Sequence, residues 1–98
     1  MVVTITGRLD TLTAPAFDSQ MKQALAEPRP RILIDASGVS YISSAGLRSI
    51  QQLMKHAEAH GGRVGLFAVP PPIMQVLGIS GFPALLDIFP DRAAALGA

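Results

Sequence analysis

Tyr41-Ile42-Ser43-Ser44-Ala45-Gly46-Leu47-Arg48-Ser49-Ile50 sets two consecutive serines where an extended segment gives way to a helix. From Ala45 onward, apolar residues recur at Leu47, Ile50, Leu53, Met54 and Ala57, the spacing of an amphipathic helix. Upstream, Arg31-Ile32-Leu33-Ile34-Asp35 is a short apolar run bounded by Pro28 and Pro30 on one side and Ser37-Gly38 on the other. It reads as a buried strand over 31–35, followed by a polar loop over 36–43. The helix predicted from about 44 to 60 ends at Gly61-Gly62, a strong stop signal. A strand, a loop and a helix N-terminus together expose backbone N–H groups and the positive end of a helix dipole.

Outward from this stretch the same alternation repeats. Met1 to Thr6 is β-branched and predicts a strand ending at Gly7. Thr13 is a plausible N-cap and Pro15 fits a first turn, so a helix should carry Phe17, Met21, Ala24 and Leu25 on one face and stop before Pro28. Arg63 to Val69 predicts a third strand. Pro70-Pro71-Pro72 opens a short helix with Ile73, Met74, Val76, Leu77 and Ile79, broken by Gly81 and Pro83. A last short strand at Leu85–Phe89 precedes an Ala-rich helix capped by Asp91. The order β-α-β-α-β-α-β-α predicts an α/β fold, a small mostly parallel or mixed sheet of about four strands flanked by about four helices. The expected core is Ile5, Phe17, Met21, Leu25, Ile32, Ile34, Leu47, Ile50, Leu53, Leu66, Val76 and Leu77.

The bulk numbers restrict function. A chain of 98 residues predicts one domain, 1–98. Net charge is +1, no basic cluster exceeds Arg29-Pro30-Arg31, and the five aromatics offer few stacking platforms, against a nucleic-acid surface. There is no cysteine, so disulfides and thiolate metal sites are excluded. No apolar run approaches the roughly 18 residues of a membrane span. The N-terminus shows no basic leader segment. These features predict a cytoplasmic soluble domain without membrane insertion.

Four roles compete for the serines. Ser43 can simply cap the helix, worth about 0.5–2 kcal/mol. A nucleophilic serine lacks a base: His56 and His60 lie along the same helix, roughly 18 and 24 Å from Ser44 at the helical rise. The G-x-S-x-G elbow is absent, as is the G-x-x-x-x-G-K-[ST] phosphate loop, and no lysine stands near the serines. The fourth role is modification. A phosphoryl group on Ser44 would meet the dipole's positive end, with Arg48 one turn along the same face. Gly46 would leave the first turn bare for the approach of a partner.

Taken together, these segments resemble the STAS domain family, and within it the bacterial anti-sigma factor antagonists. The resemblance covers nearly the whole chain: Gly7-Arg8-Leu9-Asp10 with Ala14-Pro15, Ile32 through Val39, Tyr41 through Leu47, Val76 through Phe82, and Phe89-Pro90. The family carries an Asp-Ser-Ser/Thr-Gly-Leu segment whose first serine is phosphorylated. That serine falls on Ser44, with Ser43 as second choice, and Gly46 and Leu47 match directly. Ser43 replaces the usual Asp, and Ala45 replaces a hydroxyl residue. The family also has a strand before the one that ends at Gly7, forming a hairpin with it; this sequence starts within the second of the two, so a sheet edge open to pairing is expected.

The resemblance implies a non-enzymatic partner switch. Its partner is an anti-sigma factor that is also a serine kinase with a histidine-kinase-like ATP fold, and a metal-dependent phosphatase of the PP2C type resets it. ATP and Mg²⁺ belong to the kinase, and this chain holds no cofactor or metal; Asp10, Asp35, Asp87 and Asp91 are scattered. The docking surface implied is Ser43, Ala45, Gly46, Leu47 and Arg48, with Asp10 and Asp35 brought near if strand ends gather at one edge. The alternative within the family is an unphosphorylated scaffold or ligand-sensing subunit of a lipid or anion transport system.

Overall fold

The computed structural model describes residues 1–79 and 87–97, and its elements follow the predicted order. They are β1 (Val2–Leu9), α1 (Ala14–Leu25), β2 (Arg31–Ile42), α2 (Ser44–Ala59), β3 (Arg63–Phe67), α3 (Pro71–Ile79), β4 (Asp87–Phe89) and α4 (Arg92–Leu96). The four strands form one sheet in the order β1-β2-β3-β4, and all three pairings are parallel. The expected break at Gly81 and Pro83, and the first residues of the predicted last strand, Leu85 and Leu86, lie outside the described residues.

Side-chain alternation along β2 and β3 separates two cores. Ile32, Ile34, Val64 and Leu66 join the main core with Phe17 and Met21 of α1, Ile50, Leu53 and Met54 of α2, and Ile73 and Leu77 of α3. Leu33 and Phe67 turn to the other face, where Ala95 of α4 covers them. Strands buried on both faces explain why 32–34 is a continuous apolar run rather than an alternating one. Of the expected core, Ile5, Leu25, Leu47 and Val76 are only half-buried at its margin.

Two strands are longer than the sequence indicates. β1 does not end at Gly7 but runs on to Leu9, with Gly7 at φ 79° and the register slipping beside it. Only glycine holds that conformation without strain, so the residue read as a stop is a bulge inside the strand. Likewise, the loop expected over 36–43 is strand as far as Ile42, because its backbone pairs with the second half of β1. β3 ends at Phe67, two residues early, where Ala68 turns to φ 56°.

The helix ends are partly as predicted. Gly61, at φ 76°, and Gly62 donate to the carbonyls of Glu58 and Ala57 at 3.0 and 2.7 Å, a paired C-terminal cap on α2. Asp91 caps α4 through the N–H of Ala94 at 2.8 Å. Thr13 makes no side-chain cap on α1. Its hydroxyl instead ties back to β1, as described below.

Candidate functional site

β1 and β2 finish together, with Leu9 opposite Ile42. The next residue, Ser43, donates its N–H to the carbonyl of Leu9 at 2.9 Å and keeps an extended conformation, φ −96° and ψ 176°. Its Oγ accepts the N–H of Gly46 at 3.2 Å, and its carbonyl accepts the N–H of Leu47 at 2.9 Å. Ser43 is therefore the N-cap of α2, and its hydroxyl is engaged in that role. Ser44 is the first helical residue and is exposed, as is Arg48 one turn on.

Gly46 has a different duty from the one expected. It is buried, and a Cβ there would run into the carbonyl oxygen of Leu9 and stand 3.0 Å from the side chains of both Ile42 and Leu9. The glycine lets the first turn of α2 settle on the end of β1 and offers no bare backbone to a partner. Ala45 is half-buried beside it, and Leu47 packs against the main core. Ser44 and Arg48 thus carry the exposed part of this segment.

The loop after β1 is drawn to the same edge. Asp10 accepts the N–H groups of Leu12 and Thr13 on Oδ1 at 3.0 and 3.2 Å, and the Nε of Arg8 on Oδ2 at 3.0 Å. Thr13 Oγ1 donates to the carbonyl of Arg8 at 2.8 Å and accepts the N–H of Asp10 at 2.9 Å. The Arg8 guanidinium beside Asp10, helped by these N–H groups, holds its carboxyl below the usual carboxylate range. Arg8 also lies 4.3 Å over the ring of Tyr41, its register partner on β2. Leu12 stands at the tip of this braced loop, 88% exposed.

Asp35 is not part of this edge. It pairs with Thr4 and Phe67, level with the end of β3, whereas the cap is level with Leu9. Five residues of β1 separate those levels, about 16 Å at the strand rise. Its carboxylate accepts the N–H of Ser37 at 3.0 Å, and this bond, with the nearby charge of Arg92, lowers its pKa. The expectation that strand ends would bring Asp35 to the serines fails because β2 continues past it. Arg8, Tyr41 and Leu12 have no site role in the sequence reading, and Thr13 enters it only as a helix cap. The Arg8–Tyr41 pairing depends on a register that no local pattern encodes, though Leu12, apolar and out of phase with α1, carried a signal.

His56 and His60 stack with ring centroids 5.4 Å apart near the far end of α2. The helix is continuous from Ser44, so their separation from the serine stands and no imidazole reaches its hydroxyl. The edge thus exposes a hydroxyl, two arginines and a leucine.

The family model of the STAS domain matches residues 1–95. The chain belongs to the STAS domain family. It is 26% identical, over its whole length and 84% of the relative's, to a protein of Bordetella bronchiseptica provisionally named anti-sigma factor antagonist BtrV. It is also 26% identical to the anti-sigma F factor antagonist of Paenibacillus polymyxa, covering 98% of this chain and 83% of the relative. Among solved structures, an anti-sigma factor antagonist from Mycobacterium paratuberculosis superposes with a TM-score of 0.87 at 26% identity, over 98% of this chain and 81% of the other. The antagonist SpoIIAA in its unphosphorylated form gives a TM-score of 0.78 at 22% identity, over 96% and 83%. SpoIIAA of Bacillus has also been solved in a phosphorylated form. A sulfate transporter family protein from Wolinella succinogenes shares the fold, with a TM-score of 0.84 at 19% identity over 98% and 80%. This chain is an anti-sigma factor antagonist-like STAS domain. Among the described residues, no helix is long and apolar enough to cross a membrane.

Proposed function

We propose that this chain is a phosphorylation-controlled anti-sigma factor antagonist acting in the cytoplasm, with Ser44 as phosphoacceptor. The observation that carries the reading is the division of labour between adjacent serines. Ser43 is occupied as the cap of α2, while Ser44 projects from the first turn into solvent. Unphosphorylated, the edge formed by Ser44, Arg48, Asp10 and the Leu12 loop docks an anti-sigma factor that is itself a serine kinase, and so frees the sigma factor.

The kinase supplies ATP and Mg²⁺. Ser44 Oγ attacks the γ-phosphorus, the bond to the ADP oxygen breaks, and the hydroxyl proton passes to a base on the kinase. This chain contributes no general base, only an accessible hydroxyl at a fixed position. The product is stabilised at the helix N-terminus, and Arg48 lies within reach one turn away. The same group places roughly −2 charge in the middle of the docking surface, so release follows from repulsion and the desolvation of the phosphate. A metal-dependent phosphatase then restores the hydroxyl.

A transporter subunit shares the fold, but no feature of the edge favours that reading, and the Bordetella and Paenibacillus relatives carry antagonist names. The test is an affinity measurement against candidate anti-sigma kinases with the unmodified chain, Ser44→Ala and Ser44→Asp. The first two should bind alike, and Ser44→Asp should bind at least about tenfold more weakly, the equivalent of 1.4 kcal/mol. Equal binding by all three would reject the switch.

A further inference from the structure

The far end of α2 carries His56 in its last turn and His60 as its C-cap. These are the only histidines of a chain without cysteine. Residues four apart on a helix share one face. The two imidazoles lie there with centroids 5.4 Å apart and planes within 10° of parallel. Both residues are exposed, and with Gln52, Lys55 and Ala59 they line an open hollow of about 440 Å³. At roughly 18 and 24 Å along the helix from Ser44, they take no part in the serine edge.

One hydrogen bond fixes the chemistry of the pair. The backbone N–H of His60 turns to the carbonyl of Ala57 at 3.1 Å, which leaves the His56 carbonyl without its usual helical donor. The His60 ring supplies one, with Nδ1 2.9 Å from that carbonyl. A carbonyl oxygen only accepts, so Nδ1 carries the proton and Nε2 holds the free lone pair. Metal-bound histidines share this arrangement, one ring nitrogen donating to a carbonyl while the other binds the ion. Among the described residues neither imidazole is held in an ion pair. The last carbonyls of the helix add a partial negative charge that attracts cations.

We propose that His56 and His60 chelate a late first-row divalent cation such as Zn²⁺. Imidazole suits Zn²⁺, Cu²⁺ and Ni²⁺, whereas Mg²⁺ takes oxygen donors. Zn–N bonds of about 2.0–2.1 Å put the two donor nitrogens roughly 3.3 Å apart on a tetrahedral ion. The exposed His56 ring reaches that spacing by tilting toward its anchored neighbour. Among the described residues no third histidine or carboxylate joins the pair, so water fills the remaining positions and the site is open. The family resemblance places metal on the kinase and phosphatase alone, whereas this ion belongs to the chain itself. Chelation ties the last turns of α2 together, and it favours the folded chain because only the helix holds both rings on one face.

The test titrates the full chain with Zn²⁺ at neutral pH, read by calorimetry and by amide and imidazole chemical shifts, with Ni²⁺ and Mg²⁺ for comparison. The expected result is one Zn²⁺ per chain, saturable binding of Ni²⁺ and none of Mg²⁺. Shifts should concentrate at residues 55–62 and leave residues 43–48 unmoved. His56→Gln and His60→Gln should each weaken Zn²⁺ binding by at least about tenfold, since either leaves a single imidazole. His56→Gln keeps the ring bond at the cap, so its loss of affinity separates chelation from any change in the helix end. Zn²⁺ should raise the melting temperature of the original chain and of neither variant. One ion shared by two chains, either variant binding like the original chain, shifts centred elsewhere, or no saturable Zn²⁺ site would overturn the proposal.

Discussion

The carbonyl oxygen of Leu9 accepts the N–H of Ser43 at 2.9 Å and meets the Cα face of Gly46 in the next turn. One atom at the end of β1 therefore fixes both where β2 stops and how closely α2 may approach. The exposed position of Ser44 follows from that clamp. Removing the glycine tests it. Gly46→Ala gains up to about 1 kcal/mol of helix propensity, yet its methyl collides with a backbone atom that cannot rotate away. The expected outcome is a net loss of about 1–3 kcal/mol in chemical denaturation, the usual scale for overpacking.

The adjacent serines should separate cleanly in stability measurements. Ser43→Ala removes the cap bond to Gly46 and should cost about 0.5–2 kcal/mol. Ser44→Ala touches no bond in the fold and should stay within about 0.5 kcal/mol of the original chain. Equal losses would mean that the capping role is shared between them.

Leu12 offers a contrast between stability and binding. It is 88% exposed on a loop braced by Asp10 and Thr13, so Leu12→Ala should leave the melting temperature nearly unchanged. If the serine edge is the docking surface, the same substitution should lower affinity for the anti-sigma partner by about tenfold, as a truncated apolar anchor does. Calorimetry on the pair, with thermal melts of the free chain, reads both effects.

Acid should expose the ion pair between β3 and β4. Arg63 depresses the Asp87 pKa. A carboxyl lowered on folding adds stability above its unfolded pKa and loses it as pH falls through the folded value. Asp87→Asn should therefore be less stable than the original chain at pH 7, and the difference should close as pH drops below about 4. The pair is solvent-exposed, with side chains 66% and 37% accessible, so the difference should be no more than about 1 kcal/mol and shrink in high salt.

Much of this architecture can be read along the chain. The α2 boundaries follow from the spacing of Ile50, Leu53 and Met54 and the stop at Gly61-Gly62, and Ser43 is legible as a cap from its place before that periodicity. Each of these signals is local. The extension of β1 through Gly7 and of β2 through Ser37-Gly38-Val39-Ser40 is not, because these polar and glycine residues become strand only by pairing with one another across the sheet. The consequences for the site are specific: Asp35 was expected at the serine edge and lies about 16 Å down the sheet, while Arg8 and Tyr41 meet across a register invisible in either segment alone. Gly46 shows the same limit, since its inward contact with Leu9 depends on a strand thirty-odd residues away.

Phosphorylation of the chain by the proposed anti-sigma kinase is the most direct measurement of the central claim. The chain, Ser44→Ala and Ser43→Ala would each be incubated with the kinase and Mg-ATP, then examined by intact mass and peptide mapping. The account predicts one phosphoryl group on the original chain and on Ser43→Ala, mapped to Ser44, and none on Ser44→Ala. A phosphoryl group that persists in Ser44→Ala, or an original chain that remains unmodified by a kinase it binds, would contradict it.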